Sequence, residues 1–346
     1  MKVGVDEMKR GWRFAIRLVP LLLLLTMLAT GCGQENLSTL QPKGDAADSQ
    51  YSLIKLSIGI MLFVVSVVVI IFVYVLIRFR AKPGDNSIPK QVEGSAKLEF
   101  IWTAIPIILL IILAIPTVKN VFFLAQDVGE PKIKVTAHQF WWEFEYTEYG
   151  LVTSSDLVIP VGEKVPIEVA SADVIHSFWV PGLGGKIDTN PTGQNGENKN
   201  ITWLHAEEPG VYKGKCAEFC GPSHTFMDFK VIALPQDEYE QWVAKMKQPA
   251  PQPVTPLAQE GEQLFAQNCM ACHAIDAEQK GPFPNLAYYG ERQTVAGLFD
   301  FSKERLAEWI KDPQGMKPGN QMIINPLTDQ EVDALVEYLS SLKFAE

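Results

Sequence analysis

Hydrophobic positions crowd into three blocks at the start of the chain, and the remainder has the mixed pattern of a water-exposed protein. Residues 53–77 and 101–124 are each about as long as the ~20 residues that cross a bilayer as a helix. Five basic residues lie in or beside the segment between these two blocks: Arg78, Arg80, Lys82, Lys90 and Lys97. A short basic loop belongs on the cytoplasmic side of a membrane. The pattern therefore predicts a two-helix membrane hairpin whose flanking segments both face outward.

The first block has the layout of a secretory signal, in which basic residues precede a short apolar run at 18–28 and the small residues Ala29, Thr30 and Gly31. Cys32 follows directly and resembles the lipidated cysteine of bacterial lipoproteins, although Ala29 stands where a large aliphatic residue is usual. We expect residues 1–31 to be removed and Cys32 to carry lipid; an unmodified cysteine is the alternative. Residues 32–130 then form the lipid-anchored N-terminus and the membrane hairpin.

From residue 131 the pattern changes to short β-rich segments separated by Gly, Pro and Asn. These segments are 132–146, 151–159, 165–169, 174–180, 201–204, 211–215 and 226–234. Such spacing predicts an all-β sandwich or barrel, completed by a short helix at 236–247. The sequence thus places a β domain at 131–247.

Four of the nine residues at 248–256 are proline, which indicates a stiff linker. Beyond the linker, apolar residues recur with helical spacing at 257–268, 302–311 and 328–342. Thr328 and Glu331 form a capping-box pattern at the start of the last of these segments. We therefore expect an all-α domain at 257–346.

The net charge of −10 and the lack of a basic stripe outside the membrane flanks argue against nucleic-acid binding. An acidic surface can steer a basic donor protein, although it can equally serve only solubility. The five cysteines make an odd count, so a simple disulfide framework leaves one residue unexplained.

Soft metal ligands are concentrated in one twelve-residue segment that contains Cys216, Cys220, His224 and Met227, and His176 lies upstream. Two thiolates with imidazole and thioether groups suit copper, and bridging thiolates can hold two copper ions. A disulfide would leave the histidines and the methionine without a role, zinc gains little from methionine, and a mononuclear blue-copper site uses one cysteine.

This segment, together with residues 137–146 and the two membrane spans, resembles subunit II of cytochrome c oxidase. The resemblance covers roughly residues 50–235 and implies a cupredoxin-like Greek-key β-barrel outside the membrane. It implies that His176 and Met227 complete one copper ion, and that His224 and the carbonyl of Glu218 complete the other. The side chain of Glu218 would then bind magnesium or manganese at the boundary with the catalytic subunit, unless it is a simple surface carboxylate.

The aromatic residues Phe140, Trp141 and Trp142 occupy the segment through which electrons enter in that family. Phe140 stands where the family usually has a leading tryptophan. Trp141 and Trp142 are our candidates for electron entry, and packing in the core of the β domain is the competing explanation. The departure favours a donor on the same chain.

Such a donor is encoded by Cys269-Met-Ala-Cys272-His273, the attachment sequence of c-type haem, with thioredoxin-like or zinc sites as alternatives. The surrounding residues resemble a small class I cytochrome c. That resemblance implies His273 and a later methionine as axial iron ligands. Met322 is our choice over Met316, and the carbonyl of Pro282 or Pro284 is expected to face the ring of His273.

The whole chain thus resembles the cytochrome-carrying subunit II of Gram-positive respiratory oxidases. The resemblance implies electron flow from cytochrome c or a quinol-oxidising complex, through the haem and the copper pair, to catalytic subunit I among other membrane subunits. The implied location is the bacterial plasma membrane, with copper and haem on the outer face. Nitrous oxide reductase needs more histidines than the five present, and a carrier without an oxidase partner remains the alternative.

Overall fold

The computed structural model of the protein describes residues 37–80, 90–192 and 198–344, together with positions 19, 20, 23, 26, 84 and 88. Cys32 and most of the expected signal segment lie outside the described residues. Within them, two long helices are followed by a β sandwich and a small helical domain.

The two apolar blocks form α1, Asp45–Arg78, and α2, Ala96–Leu124. The most apolar 18-residue windows of these helices have mean hydropathies of 3.4 and 2.6, and none of the residues in those windows is buried in the protein. Helices of this length that are apolar on all sides suit a bilayer. The two membrane helices expected from the sequence are therefore present.

α1 begins eight residues before the predicted span, because its first turns pack on the β domain rather than in lipid. Ala46 and Ala47 are buried there, and Asp45 pairs with Lys164 at 3.2 Å and with His205 at 3.0 Å. From α2, the carbonyl of Leu124 accepts a hydrogen bond from the indole of Trp203. The hairpin is thus fixed to the sandwich at both helices.

The β domain consists of two five-stranded sheets with orders β3-β2-β1-β5-β8 and β4-β10-β9-β6-β7. The first sheet contains β1 Ile133–His138, β2 Trp141–Tyr146, β3 Leu151–Ser154, β5 Val165–Ser171 and β8 Asn200–Leu204. The second contains β4 Asp156–Pro160, β6 His176–Trp179, β7 Ile187–Thr189, β9 Gly210–Cys216 and β10 Asp228–Leu234. β1 pairs parallel with β5, and β4 with β10, whereas the other neighbours are antiparallel. This is the cupredoxin-like sandwich that the resemblance implied.

Alternate residues of β1, β9 and β10 are buried, so the two sheets meet through one face of each. Aromatic rings fill the space between them. Phe178 and Phe229 stack at 4.8 Å between centroids, and Trp142 contacts both at 5.6 and 5.3 Å. Helix α3, Gln236–Met246, covers one end of this core through Tyr239 and Val243.

Two predicted β segments each divide into two strands. The segment at 132–146 folds into β1 and β2 around a two-residue turn at Gln139 and Phe140, which contains none of the usual turn formers. The segment at 151–159 divides at Ser155, whose φ is +71°. The sequence does not predict β7, because three residues are too few to show an alternation of apolar and polar positions.

The C-terminal helices are α4 Pro256–Asn268, α5 Lys303–Lys311, α6 Pro313–Met316 and α7 Asp329–Ser341. The hairpin of β11 Thr294–Val295 and β12 Phe299–Asp300 lies between α4 and α5. The predicted capping box is confirmed, with Thr328 and Glu331 binding each other's backbone N–H groups. α4 crosses α7 at Gly261, where a Cβ would come within 2.0 Å of the carbonyl oxygen of Ala334, so only glycine permits the approach.

Candidate copper and haem centres

The soft ligands come together because neighbouring strands present them at one end of the sandwich. His176 begins β6 and Cys216 ends β9, and these strands pair with Phe178 opposite Cys216. The loop from β9 to β10 then carries Cys220 and His224 and returns at Met227. Sheet pairing therefore sets the distance between the upstream histidine and the cysteine loop.

The potential ligand atoms lie within one small volume. The sulfur atoms of Cys216 and Cys220 are 3.8 Å apart. His176 Nδ1 is 3.9 Å from the sulfur of Cys216, and His224 Nδ1 is 3.6 Å from that of Cys220. Met227 Sδ is 3.9 Å from the sulfur of Cys220. Two thiols with an imidazole beside each of them and a thioether nearby form a set of soft ligands that suits copper.

The protein favours the thiolate form of Cys216. Hydrogen bonding from the thiol of Cys220 holds the pKa of Cys216 well below its ordinary value, and His176 lowers it further. The same hydrogen bond, together with burial, raises the pKa of Cys220, so the pair shares one proton until a metal displaces it. Thiolates, rather than thiols, are the species that bind metal. Both cysteines are buried, and neither is in a disulfide. These properties fit a metal centre and disfavour the disulfide alternative.

Asp173 orients His176, a role that sequence reasoning missed. Its carboxylate is 2.7 Å from His176 Nε2, which directs Nδ1 toward the thiols. The backbone N–H of Gln139 donates to the same carboxylate at 2.7 Å, and the Gln139 side chain donates to the carbonyl of Cys220. The available signal was an acidic residue three positions before a candidate ligand histidine.

Glu218 supplies two different groups. Its carbonyl oxygen lies 3.2 Å from the sulfur of Cys216, inside the ligand cluster. Its side chain is exposed, so the carboxylate faces away from the buried core. The backbone and side chain of one residue thus point to two different environments.

The two candidate entry tryptophans have different surroundings. Trp142 is fully buried, and its indole N–H donates to the carbonyl of Met227 at 3.4 Å. Trp141 is half-buried and stacks on His138 with ring centroids 4.1 Å apart. Trp142 therefore belongs to the core beside the copper loop, whereas Trp141 faces the helical domain.

A cavity of about 380 Å³ lies between the helical domain and the turn between β1 and β2. Its lining is mostly apolar and includes Cys269, Cys272, His273 and Met322. Pockets of this size and polarity are typical of bound organic cofactors. The donor set and the space together fit a covalently attached haem.

The ring of His273 is held by a backbone contact at one of its two nitrogens. Its Nδ1 lies 2.8 Å from the carbonyl oxygen of Pro284, an arrangement that fixes the tautomer and leaves Nε2 for a metal. Burial lowers the pKa of this imidazole, which favours the neutral, metal-binding form. Of the two prolines considered, the structure thus places Pro284 against His273.

The two candidate methionines differ in position. Met322 lines the cavity, and its backbone N–H is fixed by the side chain of Asn320 at 2.7 Å. Met316 ends α6 and does not line this cavity. The cavity lining therefore favours Met322 over Met316 as a ligand of the bound group.

The copper end of the sandwich forms one wall of the haem cavity through Gln139, Phe140 and Trp141. Polar contacts secure this arrangement: Val152 N donates to the carbonyl of Ala277 at 2.7 Å, and Ser154 Oγ to that of Asn285 at 2.9 Å. The two domains therefore present their cofactor sites to each other.

An ion pair adds to this interface. Lys280 of the helical domain reaches Glu143 at 2.7 Å and Glu145 at 3.2 Å on β2. The Glu143 side chain is only 4% exposed, so its carboxylate depends on Lys280 for a charged partner. Because the Glu143 carboxylate is removed from water, loss of Lys280 would leave it as an unpaired buried charge and destabilise the interface.

Three regions of the chain match known protein families. Residues 44–119 match the transmembrane domain of cytochrome c oxidase subunit II, residues 150–234 its periplasmic domain, and residues 258–343 cytochrome c. Cytochrome c oxidase subunit 2 of Alkalihalophilus pseudofirmus is 48% identical over 345 residues, covering 97% of this chain and 99% of that protein. The same subunit of Bacillus sp. (strain PS3) is 50% identical over 352 residues, covering 94% and 97%.

Among solved structures, the periplasmic domain of subunit II of cytochrome oxidase from Bradyrhizobium japonicum is 30% identical, with a TM-score of 0.31. The match covers 34% of this chain and 95% of the Bradyrhizobium chain. The relatives from Alkalihalophilus and Bacillus align with 97% and 94% of this chain, so each alignment includes most of the membrane, β and helical regions. The chain therefore belongs to the cytochrome c oxidase subunit 2 family.

Proposed function

We propose that this chain is the electron-input subunit of a respiratory haem-copper oxidase, passing electrons from its own haem c domain through a dinuclear copper centre to the oxygen-reducing catalytic subunit. One observation supports this most directly. The turn at Gln139 and Phe140 is a wall of the haem cavity, and Gln139 also hydrogen-bonds the carbonyl of Cys220. A two-residue turn thus separates the two candidate redox sites.

The cluster supports an assignment of the copper ligands. Cys216 and Cys220 would hold both copper ions, His176 and Met227 would complete one of them, and His224 with the carbonyl of Glu218 would complete the other. Burial of the thiols and of Met227 excludes water from the site. A pre-formed set of ligands needs little rearrangement when the charge changes, which favours rapid electron transfer.

The cavity supports an assignment of the haem ligands. Cys269 and Cys272 would attach the haem covalently, and His273 and Met322 would bind its iron. Bound haem and copper supply reversible one-electron chemistry, whereas the protein determines their separation, orientation and solvent exposure. The contacts of Val152 and Ser154 with the helical domain keep the two sites adjacent.

The proposal includes the membrane context. The copper and haem domains lie on the outer face of the bacterial plasma membrane, the signal segment is removed, and Cys32 is lipidated. The exposed carboxylate of Glu218 binds magnesium or manganese together with the catalytic subunit. Electrons reach the haem from cytochrome c or a quinol-oxidising complex. Mass spectrometry of the mature N-terminus tests the lipid, since an unmodified cysteine would contradict it.

Transient kinetics on the purified membrane complex tests the central claim. After photochemical reduction of the haem, we expect the copper signal to follow with a first-order rate that does not depend on protein concentration. Copper EPR should show one unpaired electron shared by two nuclei. A haem that stays reduced while copper remains oxidised would refute the proposal, as would purification without a haem-bearing integral subunit.

Removal of residues 257–346 gives an independent test. The truncated complex should turn over only with added cytochrome c, since the donor on the chain is gone. The full-length complex is the matched control. Equal turnover of the two complexes without added donor would exclude the haem domain as a relay.

A further inference from the structure

Lys317 is a buried lysine at the junction of the two cofactor sites. It lies in the loop that leads to Met322 and lines the haem cavity. Only 3% of its surface is exposed. Lysine is rarely buried to this extent without an anionic partner.

The ammonium group of Lys317 has little local compensation. Its Nζ donates one hydrogen bond, at 3.0 Å, to the carbonyl of Ala296. Among residues 37–80, 90–192 and 198–344, no carboxylate oxygen lies within the 4.0 Å of an ion pair with it. Asp228, which favours the charged form of Lys317, is itself paired with Lys215 at 2.7 Å. A buried cation so weakly paired is destabilising unless other negative charge acts on it.

The copper domain packs against the two residues that directly follow this lysine. Ser223, next to His224, donates to the carbonyl of Pro318 at 2.6 Å. A Cβ on Gly319 would lie 3.4 Å from Pro222 and 3.5 Å from Phe140. The backbone beside Lys317 thus packs directly on the loop that carries the copper ligands.

The charges acting on Lys317 also come from the copper side. Asp228 follows Met227, and the second group that favours the protonated form is the sulfur of Cys220. The groups that favour the charged form of Lys317 therefore lie on the copper side, and its side chain also borders the haem cavity. An electron added at either site brings further negative charge close to this ammonium.

We propose that Lys317 is a positioning residue for internal electron transfer, whose buried positive charge between the haem and copper sites stabilises an electron on either of them. This inference rests on the proposed function and adds an electrostatic element to it. The charge acts through space and touches neither iron nor copper. A fixed positive charge nearby raises the potential of a redox centre, because it favours the more negative, reduced state.

The test compares three variants in the purified, fully loaded complex. Lys317→Met removes the charge but keeps the length of the side chain, and Lys317→Arg keeps the charge. Lys303→Met removes a cation from the exposed face of the same domain, where Lys303 is 54% exposed and pairs with Glu337. Redox titration of the haem and copper signals is the measurement, with bound haem and copper quantified to verify that each variant is loaded.

We expect Lys317→Met to lower both midpoint potentials. The equilibrium constant for reduction of the haem should fall roughly tenfold, which is the effect expected for a unit charge acting over about 10 Å of protein. Lys317→Arg and Lys303→Met should titrate close to the unchanged chain. Potentials in Lys317→Met equal to those in Lys303→Met would overturn the inference and reduce Lys317 to a structural role. Failure of photoreduced haem to reduce copper in the unchanged chain would instead overturn the proposed function.

Discussion

The ring of Phe140 packs against the backbone of Gly319, so the turn beside the copper loop touches the loop that carries Met322. A Cβ on Gly319 would lie 3.5 Å from the ring, and Phe140 is 3% exposed. The same ring approaches Gly221, next to Cys220, where a Cβ would lie 3.1 Å away. One side chain thus contacts both cofactor-binding loops.

Phe140→Ala should loosen this junction. Removal of a buried phenylalanine side chain costs about 3–5 kcal/mol of unfolding free energy and leaves a cavity between the loops. Copper reduction after photoreduction of the haem should slow, while both cofactors remain bound. Val254→Ala is the control, because Val254 is 86% exposed in the linker, away from both cofactor loops. An equal rate in both variants would show that Phe140 does not contribute to transfer.

Asp173→Asn should weaken the copper centre without altering its ligands. The amide cannot stabilise the His176 imidazole as the carboxylate does, and loss of such supporting contacts typically lowers metal affinity about 10–100-fold. Copper retention during dialysis against a chelator measures the effect. Asp188→Asn is the control, since the carboxylate of Asp188 is half exposed and lies 3.7 Å from Lys186. Unchanged retention in Asp173→Asn would contradict the assigned role.

The two methionines can be separated by spectroscopy. Met322→Leu should abolish the spectrum of methionine-ligated low-spin haem, because the side chain that lines the cavity is lost. Met316→Leu should leave that spectrum intact. The opposite result would transfer the axial role to Met316 and require the loop at 317–322 to fold differently.

Lys317→Met should stabilise the complex, although it impairs the redox centres. Burial lowers the pKa of Lys317 from 10.5 to about 8, so near pH 7 the buried charge destabilises the folded chain by about 3 kcal/mol. Between pH 8 and 10.5 the unfolded chain binds the additional proton, so the stability of the unchanged protein rises with pH relative to the variant. Thermal unfolding should show an advantage for Lys317→Met that is largest below pH 8.

The absence of any such advantage at pH 7 would show that another group compensates Lys317. Lys303→Met again serves as the control, since an exposed ion pair contributes little to stability. Its unfolding midpoint should differ little from that of the unchanged chain at either pH.

Features that depend on local sequence were predictable. Membrane helices follow from apolar length, the last helix from its Thr328 cap, and the haem attachment from a five-residue motif. The turn at Gln139 and Phe140 was missed because neither residue is a usual turn former, so two strands were read as one. Where residues with high β propensity are continuous, local sequence does not show the position at which the chain turns back on itself.

Features that depend on docking could not be read from the chain. Asp173 precedes His176 by three residues, yet its role depends on how the intervening loop folds. Lys317 reads as an ordinary surface lysine in a loop, yet it is buried in the structure, beside the contact of Ser223 with Pro318 between the two domains. The ligand types were visible in the sequence, whereas the residues that support and couple them were not.

The hydrogen bonds of Val152 and Ser154 with the helical domain have a kinetic consequence. A cytochrome on a free tether would have to diffuse to the copper site for each transfer, and a more viscous solvent would slow it. A cytochrome already seated on β3 has no such search to make. Glycerol should therefore retard delivery from an external donor while leaving the internal step at its original rate.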